Sequence, residues 1–286
     1  MRIAVCTDGE VRVSPKSDRP WLSTTRAALD AAIRTGEAVL AIGAGVPADP
    51  PSYSGALAPP VRPGKVIAIG LNYLDHIRES GQPRPDRPLV FAKFPSSVIG
   101  HNDPIAIDRA ITQRVDWEAE LAVVIARTAS AVSEAEALRY VFGYTVANDV
   151  SARDVQFDDG QWVRGKSLDT FCPIGPVIVT ADEIKDPQSL SIQTRVNGEL
   201  VQDSNTAEML FGVAELISFC SHSFRLDPGD VLLTGTPWGC GEFMTPPRSL
   251  QGGDRVECTI EGIGTLTNTV LDRRARDEPT RHSSYT

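Results

Sequence analysis

The chain has 286 residues with ordinary globular proportions, 41% hydrophobic and 23% charged, and 37 acidic against 28 basic side chains give a formal net charge of −9. That length suits one large domain with or without a small appendage, and the acidic balance argues against nucleic acid as a partner. No apolar stretch approaches membrane-spanning length and the N-terminus has no signal-peptide core; five dispersed cysteines without a Cys-x-x-Cys pair fit a reducing compartment. A cytoplasmic protein with no membrane partner is expected.

In chain order, Ile3–Cys6 and Val11–Val13 read as a hairpin around Asp8-Gly9, and Ser23 as the cap of a helix over 24–34 with Ala28, Leu29, Ala32 and Ile33 on one face. A stretch with Pro47, Pro50, Pro51, Pro59, Pro60 and Pro63 reads as an extended linker, which divides the chain into a small N-terminal piece (1–60), a main domain (61–271) and a polar tail (272–286) carrying Arg273, Arg274 and Arg276. Val66–Gly70 reads as a strand. Ser133-Glu134-Ala135-Glu136 is a capping box opening a helix to about Phe142, ended by Gly143. Strands are expected at 144–147, 176–179, 190–196, 231–234 and 256–260, a turn at Asn197-Gly198, and a helix over 207–219. Strands outnumber helices without alternating with them, which predicts a strand-rich α+β core and disfavours a doubly wound sheet.

Four places carry chemistry. In Asp116-Trp117-Glu118-Ala119-Glu120-Leu121 the apolar run that follows predicts a buried strand, so Glu118 and Glu120 point to one face. Like charges that close conflict unless a cation intervenes. Asp149, after the next strand, completes an all-oxygen set suited to Mg²⁺ or Mn²⁺, with Ca²⁺ also admitted, and leaves positions for a chelating substrate. A surface glutamate pair with a turn aspartate is the plain alternative. Lys166, between polar turn residues and an apolar run, could balance charge or hold a substrate carboxylate; on spacing alone a solvated loop lysine is the favoured alternative. His76 and Glu79, one helical turn apart, can form a pair in which the carboxylate orients the imidazole as a base, with Gly70 and Gly81 flanking a lid; a His-x-x-Glu on an exposed helix is the plain alternative, favoured on spacing alone. The turn Thr234-Gly235-Thr236-Pro237-Trp238-Gly239 offers backbone amides to a carboxylate but lacks a phosphate-loop ending.

From about Gly64 to Asn268 the chain resembles the fumarylacetoacetate hydrolase family. The resemblance runs through Gly70-Leu71-Asn72-Tyr73 with His76, Phe91-Ala92-Lys93-Phe94-Pro95, Asp116-Trp117-Glu118-Ala119-Glu120, Asn148-Asp149-Val150-Ser151-Ala152-Arg153-Asp154, Gly165-Lys166-Ser167 and Thr234-Gly235-Thr236-Pro237. It implies a mixed β-roll or β-sandwich fold with a small N-terminal α+β domain, a homodimer, and Mg²⁺ or Mn²⁺ held by Glu118, Glu120 and Asp149. It also implies catalytic roles for His76, Glu79 and Lys166, and a pocket lined by Tyr73, Lys93, Arg153, Gln156 and Thr236. His101, Asp108 and the loop after Gly239 depart from the family pattern. The expected activity is hydrolytic carbon–carbon cleavage of a small dicarbonyl acid such as an acylpyruvate, through an enolate and water activated by His76 and Glu79. Decarboxylation of an oxaloacetate-type acid and isomerisation of an unsaturated keto acid are the alternatives, and a non-catalytic ligand-binding protein is the rival from another class.

Overall fold

The apolar run after Glu118 forms the strand Ala119–Ile125, in which every residue is buried. Its two faces enter different cores: Leu121, Val123 and Ile125 join one apolar cluster, Ala122 and Val124 another. Burial on both sides is why the run is continuous instead of alternating. The strand pairs antiparallel with Val141–Asn148 and with Val231–Leu233, and the latter lies parallel to Val66–Gly70.

The computed structural model describes residues 1–6, 10–14, 21–35, 46–48 and 55–273. Beyond Val141–Asn148 the sheet continues through Cys172–Thr180 to Arg2–Cys6, Glu10–Ser14, Trp21–Thr25 and Val46–Ala48; Leu89–Lys93 forms the opposite edge. With two short side strands, twelve strands are joined. A second, five-stranded sheet (Glu199–Asn205, Ser191–Val196, Arg255–Ile260, Gly264–Arg273, Ile105–Asp108) sends Ile192, Val196, Val256 and Leu266 into the cluster that holds Leu121 and Val123. On the other face the helix Arg26–Thr35 adds Leu29, Ala32 and Ile33. The fold is the strand-rich α+β architecture of mixed sheets that the sequence predicts.

Several local expectations change. The first helix starts at Arg26, because Ser23 and Thr24 belong to the strand Trp21–Thr25 paired with Glu10–Ser14; ladder pairing outweighs the cap. Val46–Ala48, holding Pro47, lies on a sheet edge, where proline costs no ladder bond, and Leu57–Ala58 pairs with Val5–Cys6. Asp8-Gly9, Pro50, Pro51, Arg274 and Arg276 lie outside the described residues. Ser133 makes no side-chain cap bond, and its helix is one turn, Glu134–Ala137, followed by a 3₁₀ turn. Gly143 does not end that helix. It sits inside Val141–Asn148, where a Cβ would lie 2.4 Å from the Val179 carbonyl oxygen. The helix expected over 207–219 is instead a 3₁₀ turn, Thr206–Glu208, and a helix, Val213–Ser223. Asn72 accounts for the break: its backbone and side-chain oxygens take the amides of Leu210 (2.7 Å) and Phe211 (3.0 Å), which holds that segment out of a helix. Asn197 and Gly198 carry φ of 54° and 84°, the left-handed pair that closes a two-residue hairpin.

Candidate active site

Glu118 immediately precedes the strand Ala119–Ile125, Glu120 lies within it, and Asp149 follows the neighbouring Val141–Asn148. The two chain ends are locked in register: the Asp149 amide donates to the Glu118 carbonyl (2.9 Å) and the Asn148 side-chain oxygen accepts from the Glu118 amide (3.0 Å). Residues 118 and 120 share a face, and Ala147, two before Asp149, pairs opposite Glu120. All three carboxylates therefore converge, each with an oxygen within 4.8 Å of the others, and all three are buried.

Two buried ammonium groups answer them. Lys93 Nζ lies 2.6 Å from Asp149 Oδ1; Lys166 Nζ lies 2.7 Å from both Glu118 Oε2 and Asp149 Oδ2. Arg153 bridges Asp116 and Glu118 at 2.7 Å each. Burial works to raise the pKa of Glu118, but Lys166 and Arg153 outweigh it and hold the carboxyl at about 2. Glu120 is pushed well above its ordinary value, by burial first and then by the charges of Asp149 and Glu118. Burial disfavours the charged form of Lys166, yet Asp149 and Glu118 raise its pKa overall. Counted as fully ionised, and with Asp116 and Arg153 cancelling, three carboxylates face two ammonium groups and leave one net negative charge, the excess against which Glu120 is pushed up.

That donor set fits a hard dication. Among the described residues no lysine or arginine forms an ion pair with Glu120, whose Oε2 takes the Gly235 amide (2.7 Å); the charge of Lys166 acts on it but does not offset burial, Asp149 and Glu118. A divalent cation would relieve the Glu120 conflict and turn the net charge to +1, the sign that attracts an anionic oxo acid.

His76 and Glu79 lie on the helix Leu74–Ser80, with His76 Nδ1 3.1 Å from Glu79 Oε2. The other oxygen of Glu79 accepts from the Gly239 amide (2.8 Å), and the His76 ring meets Phe243 edge-on at 5.3 Å between centroids. The glycine-rich turn thus holds the protein's own carboxylates, Glu120 through Gly235 and Glu79 through Gly239. Gly235 has φ +93°, and a Cβ there would meet Asn72 at 2.8 Å. Gly81 closes the helix in the left-handed conformation, whereas a Cβ on Gly70 would strike the Trp162 ring at 2.3 Å.

One cavity of about 290 Å³ brings these parts together. His76, Glu118, Glu120, Arg153, Gln156, Lys166 and Thr236 are on its wall. Two expected pocket residues are not. Tyr73 is buried in the main apolar cluster, and Lys93 is spent on Asp149 and on the carbonyls of Val150 and Lys166. Their positions match the family pattern, but the fold turns them inward behind the carboxylates. His101, one of the departures, is buried away from the cavity and accepts from the Thr267 amide at 3.1 Å. The sequence reading missed Asp116, which orients Arg153 and takes the Gly241 amide (2.7 Å), and it missed Phe91, Trp162 and Phe243 as apolar wall. Asp116 stood inside the quoted motif. Phe243 lies in the loop after Gly239, where no spacing signals it.

Residues 65–271 match the family described as fumarylacetoacetate (FAA) hydrolase C-terminal. Over 217 residues the chain is 51% identical to a Xenopus laevis protein named oxaloacetate tautomerase fahd2, mitochondrial, covering 75% of this chain and 68% of that one. Among solved structures, the fumarylacetoacetate hydrolase of Exiguobacterium antarcticum superposes with a TM-score of 0.84 at 39% identity, covering 95% of this chain and 99% of that one. The 5-carboxymethyl-2-hydroxymuconate delta-isomerase of Mycobacterium smegmatis does so with a TM-score of 0.78 at 37% identity, covering 96% of this chain and 100% of that one.

Proposed function

The chain belongs to the fumarylacetoacetate hydrolase family, and from that premise we propose that it is an enzyme interconverting the keto and enol forms of a small oxaloacetate-like 2-oxo diacid. The observation that carries this reading is the shared cavity, onto which Glu118 and Glu120 of the buried three-carboxylate cluster and the His76 imidazole, oriented by Glu79, all open. The name of the Xenopus relative supports the substrate class, and the delta-isomerase supports proton movement as the chemistry.

A Mg²⁺ or Mn²⁺ ion held by Glu118, Glu120 and Asp149 would supply Lewis-acid polarisation of an oxo group. His76, aligned by Glu79, takes the proton from the carbon between the two carbonyl groups and returns it at the other end of the keto–enol system. Lys166 fixes Glu118 and Asp149 and presents positive charge to the anionic substrate, while Arg153, Gln156 and Thr236 orient its carboxylates. Phe91, Trp162 and Phe243 exclude water from the wall. The working assembly is a homodimer in a reducing compartment, the cytoplasm in the first instance, although the Xenopus relative is named as mitochondrial. No helix among the described residues is long and apolar enough to cross a membrane.

One observation favours a second reading. The His76–Glu79 pair is also suited to deprotonate water for attack on an acylpyruvate carbonyl, the hydrolytic cleavage expected from the sequence. Decay of enol-oxaloacetate absorbance with Mg²⁺, alongside acid release from an acylpyruvate, tests both. The expected result is enol decay accelerated on the order of a hundredfold or more without carbon loss. Unaccelerated decay would reject the tautomerase reading. Faster acid release from the acylpyruvate would replace it by the hydrolase, and formation of pyruvate with carbon dioxide would replace it by decarboxylation.

A further inference from the structure

A second set of ligating atoms lies beside the first. His76, Glu79 and Cys240 each offer one, all within 4.8 Å of one another. Unlike the carboxylate centre, this set mixes nitrogen, oxygen and sulfur. We infer that His76, Glu79 and Cys240 form a separate site for a borderline-soft dication of the zinc type, and that filling it withdraws the His76 imidazole from proton transfer.

The geometry needs little adjustment. Bonds of about 2.0–2.3 Å at a tetrahedral ion put its ligand atoms about 3.3–3.8 Å apart, so from separations within 4.8 Å the side chains close by about 1.5 Å at most. His76 and Glu79 already stand at 3.1 Å. The Gly239 amide, bonded to Glu79 at 2.8 Å, pins the residue before Cys240 against the pair. Cys240 is wholly buried, and its sulfur has only long polar contacts among the described residues: 3.9 Å from Gln202 Nε2 and 3.9 Å to the Pro237 carbonyl. The sulfur thus stands beside an imidazole and a carboxylate with room for a third ligand bond; burial and the charges of Asp116 and Glu118 push its thiol well above the ordinary value, so an ion that binds there displaces a proton.

Access and selectivity agree with this. His76 lines the catalytic cavity, while Glu79 lines a neighbouring surface groove with Trp238, Gly239 and Met244, so an ion can arrive without crossing the carboxylate centre. A three-ligand site keeps a fourth position for water. Thiolate and imidazole favour Zn²⁺ over Mg²⁺, and the all-oxygen centre favours the reverse, so one protein can hold the two ions apart. Binding engages the imidazole lone pair and the carboxylate that orients it. The inhibitory consequence rests on the reading of His76 as proton carrier; the binding does not.

The test uses the full chain saturated with Mg²⁺. Cd²⁺, a spectroscopic stand-in for Zn²⁺, should produce a thiolate-to-cadmium ultraviolet absorption band that saturates at one ion per chain. The band should be absent in Cys240→Ala and weakened in His76→Ala. Zn²⁺ should inhibit wild-type turnover, whereas in Cys240→Ala turnover without Zn²⁺ is unchanged and inhibition needs at least about tenfold more Zn²⁺. A missing band, or one that persists in Cys240→Ala, overturns the site and shows a cysteine that only fills space. Equal inhibition of both proteins overturns its regulatory role and points to displacement at the carboxylates. Should no substrate turn over at all, the cadmium band still decides the site, and the failure falls on the proposed function alone.

Discussion

Glu118, Glu120 and Asp149 are gripped by the middle of the twelve-stranded sheet, whereas His76 and Glu79 ride on a seven-residue helix fastened to it from outside. The first group is fixed by ladder bonds and by apolar packing on both faces of Ala119–Ile125. The second is held by a few discrete bonds: Asn72 to Phe211 and Thr234, Asp75 to Ser204, Glu79 to Gly239. A cation-binding centre needs fixed oxygens, and a centre embedded in the sheet opens only with the whole fold. A proton-transfer group over a cavity must let substrate pass, and such elements come from the locally less stable part of a structure. The division predicts that damage to the two groups will look different.

The largest effect should come from Asp149→Ala. It removes one of the three proposed ligands and leaves Lys93 and Lys166 buried without their shared partner, a loss on the order of 3–5 kcal/mol. Turnover should vanish, and so should the rise in melting temperature that Mg²⁺ gives the wild type by binding only the folded state. Turnover at the wild-type rate would remove the carboxylates from the chemistry. His76→Ala should separate the two groups cleanly: kcat falls about 10²–10⁴-fold while the Mg²⁺-dependent thermal shift stays. If that shift disappears as well, helix and centre are one unit and the contrast is false.

Glu79→Gln lies between these and neutrality. Glutamine keeps an oxygen for the Gly239 amide but loses the charge facing His76 Nδ1. A roughly tenfold fall in kcat with little change in melting temperature is expected, as for other groups that orient a working side chain. A large thermal loss would mean that Glu79 acts mainly as a fastening.

Legibility followed the same division. The period of two placed Glu118 and Glu120 on one face from the sequence alone, and the end of the next strand marked Asp149, because sheet geometry is local and regular. The His76–Glu79 spacing was legible for a similar reason. What held the helix was not: Asn72, Gly239 and Phe243 act across more than a hundred residues through loops that carry no period. The same limit hid the break at Met209–Phe211, where an asparagine far upstream overrides a good helical pattern. Lys93 and Tyr73 sat at the right positions in the family pattern, but which way each side chain turns depends on packing that spacing does not encode.

The smallest effect tests whether the outer fastenings of the helix matter at all. Arg78, on the same helix, meets Glu208 at 3.1 Å, with side chains 67% and 40% exposed. In water such a pair gains little over its separated ions and costs the order of two long side chains, so Arg78→Ala should change stability by less than about 0.5 kcal/mol. The inner bonds are of another kind. Asn72 is fully buried, and its side chain spans both the turn after Val231–Leu233 and the segment before Val213–Ser223, out of reach of bulk solvent, so losing it leaves buried backbone groups unpaired. Amide exchange along Leu74–Ser80 in Arg78→Ala should therefore match the wild type, with turnover unchanged. Faster exchange would place the restraint at the solvent rim, and the helix would then open as a flap hinged on its buried side instead of being carried by Asn72.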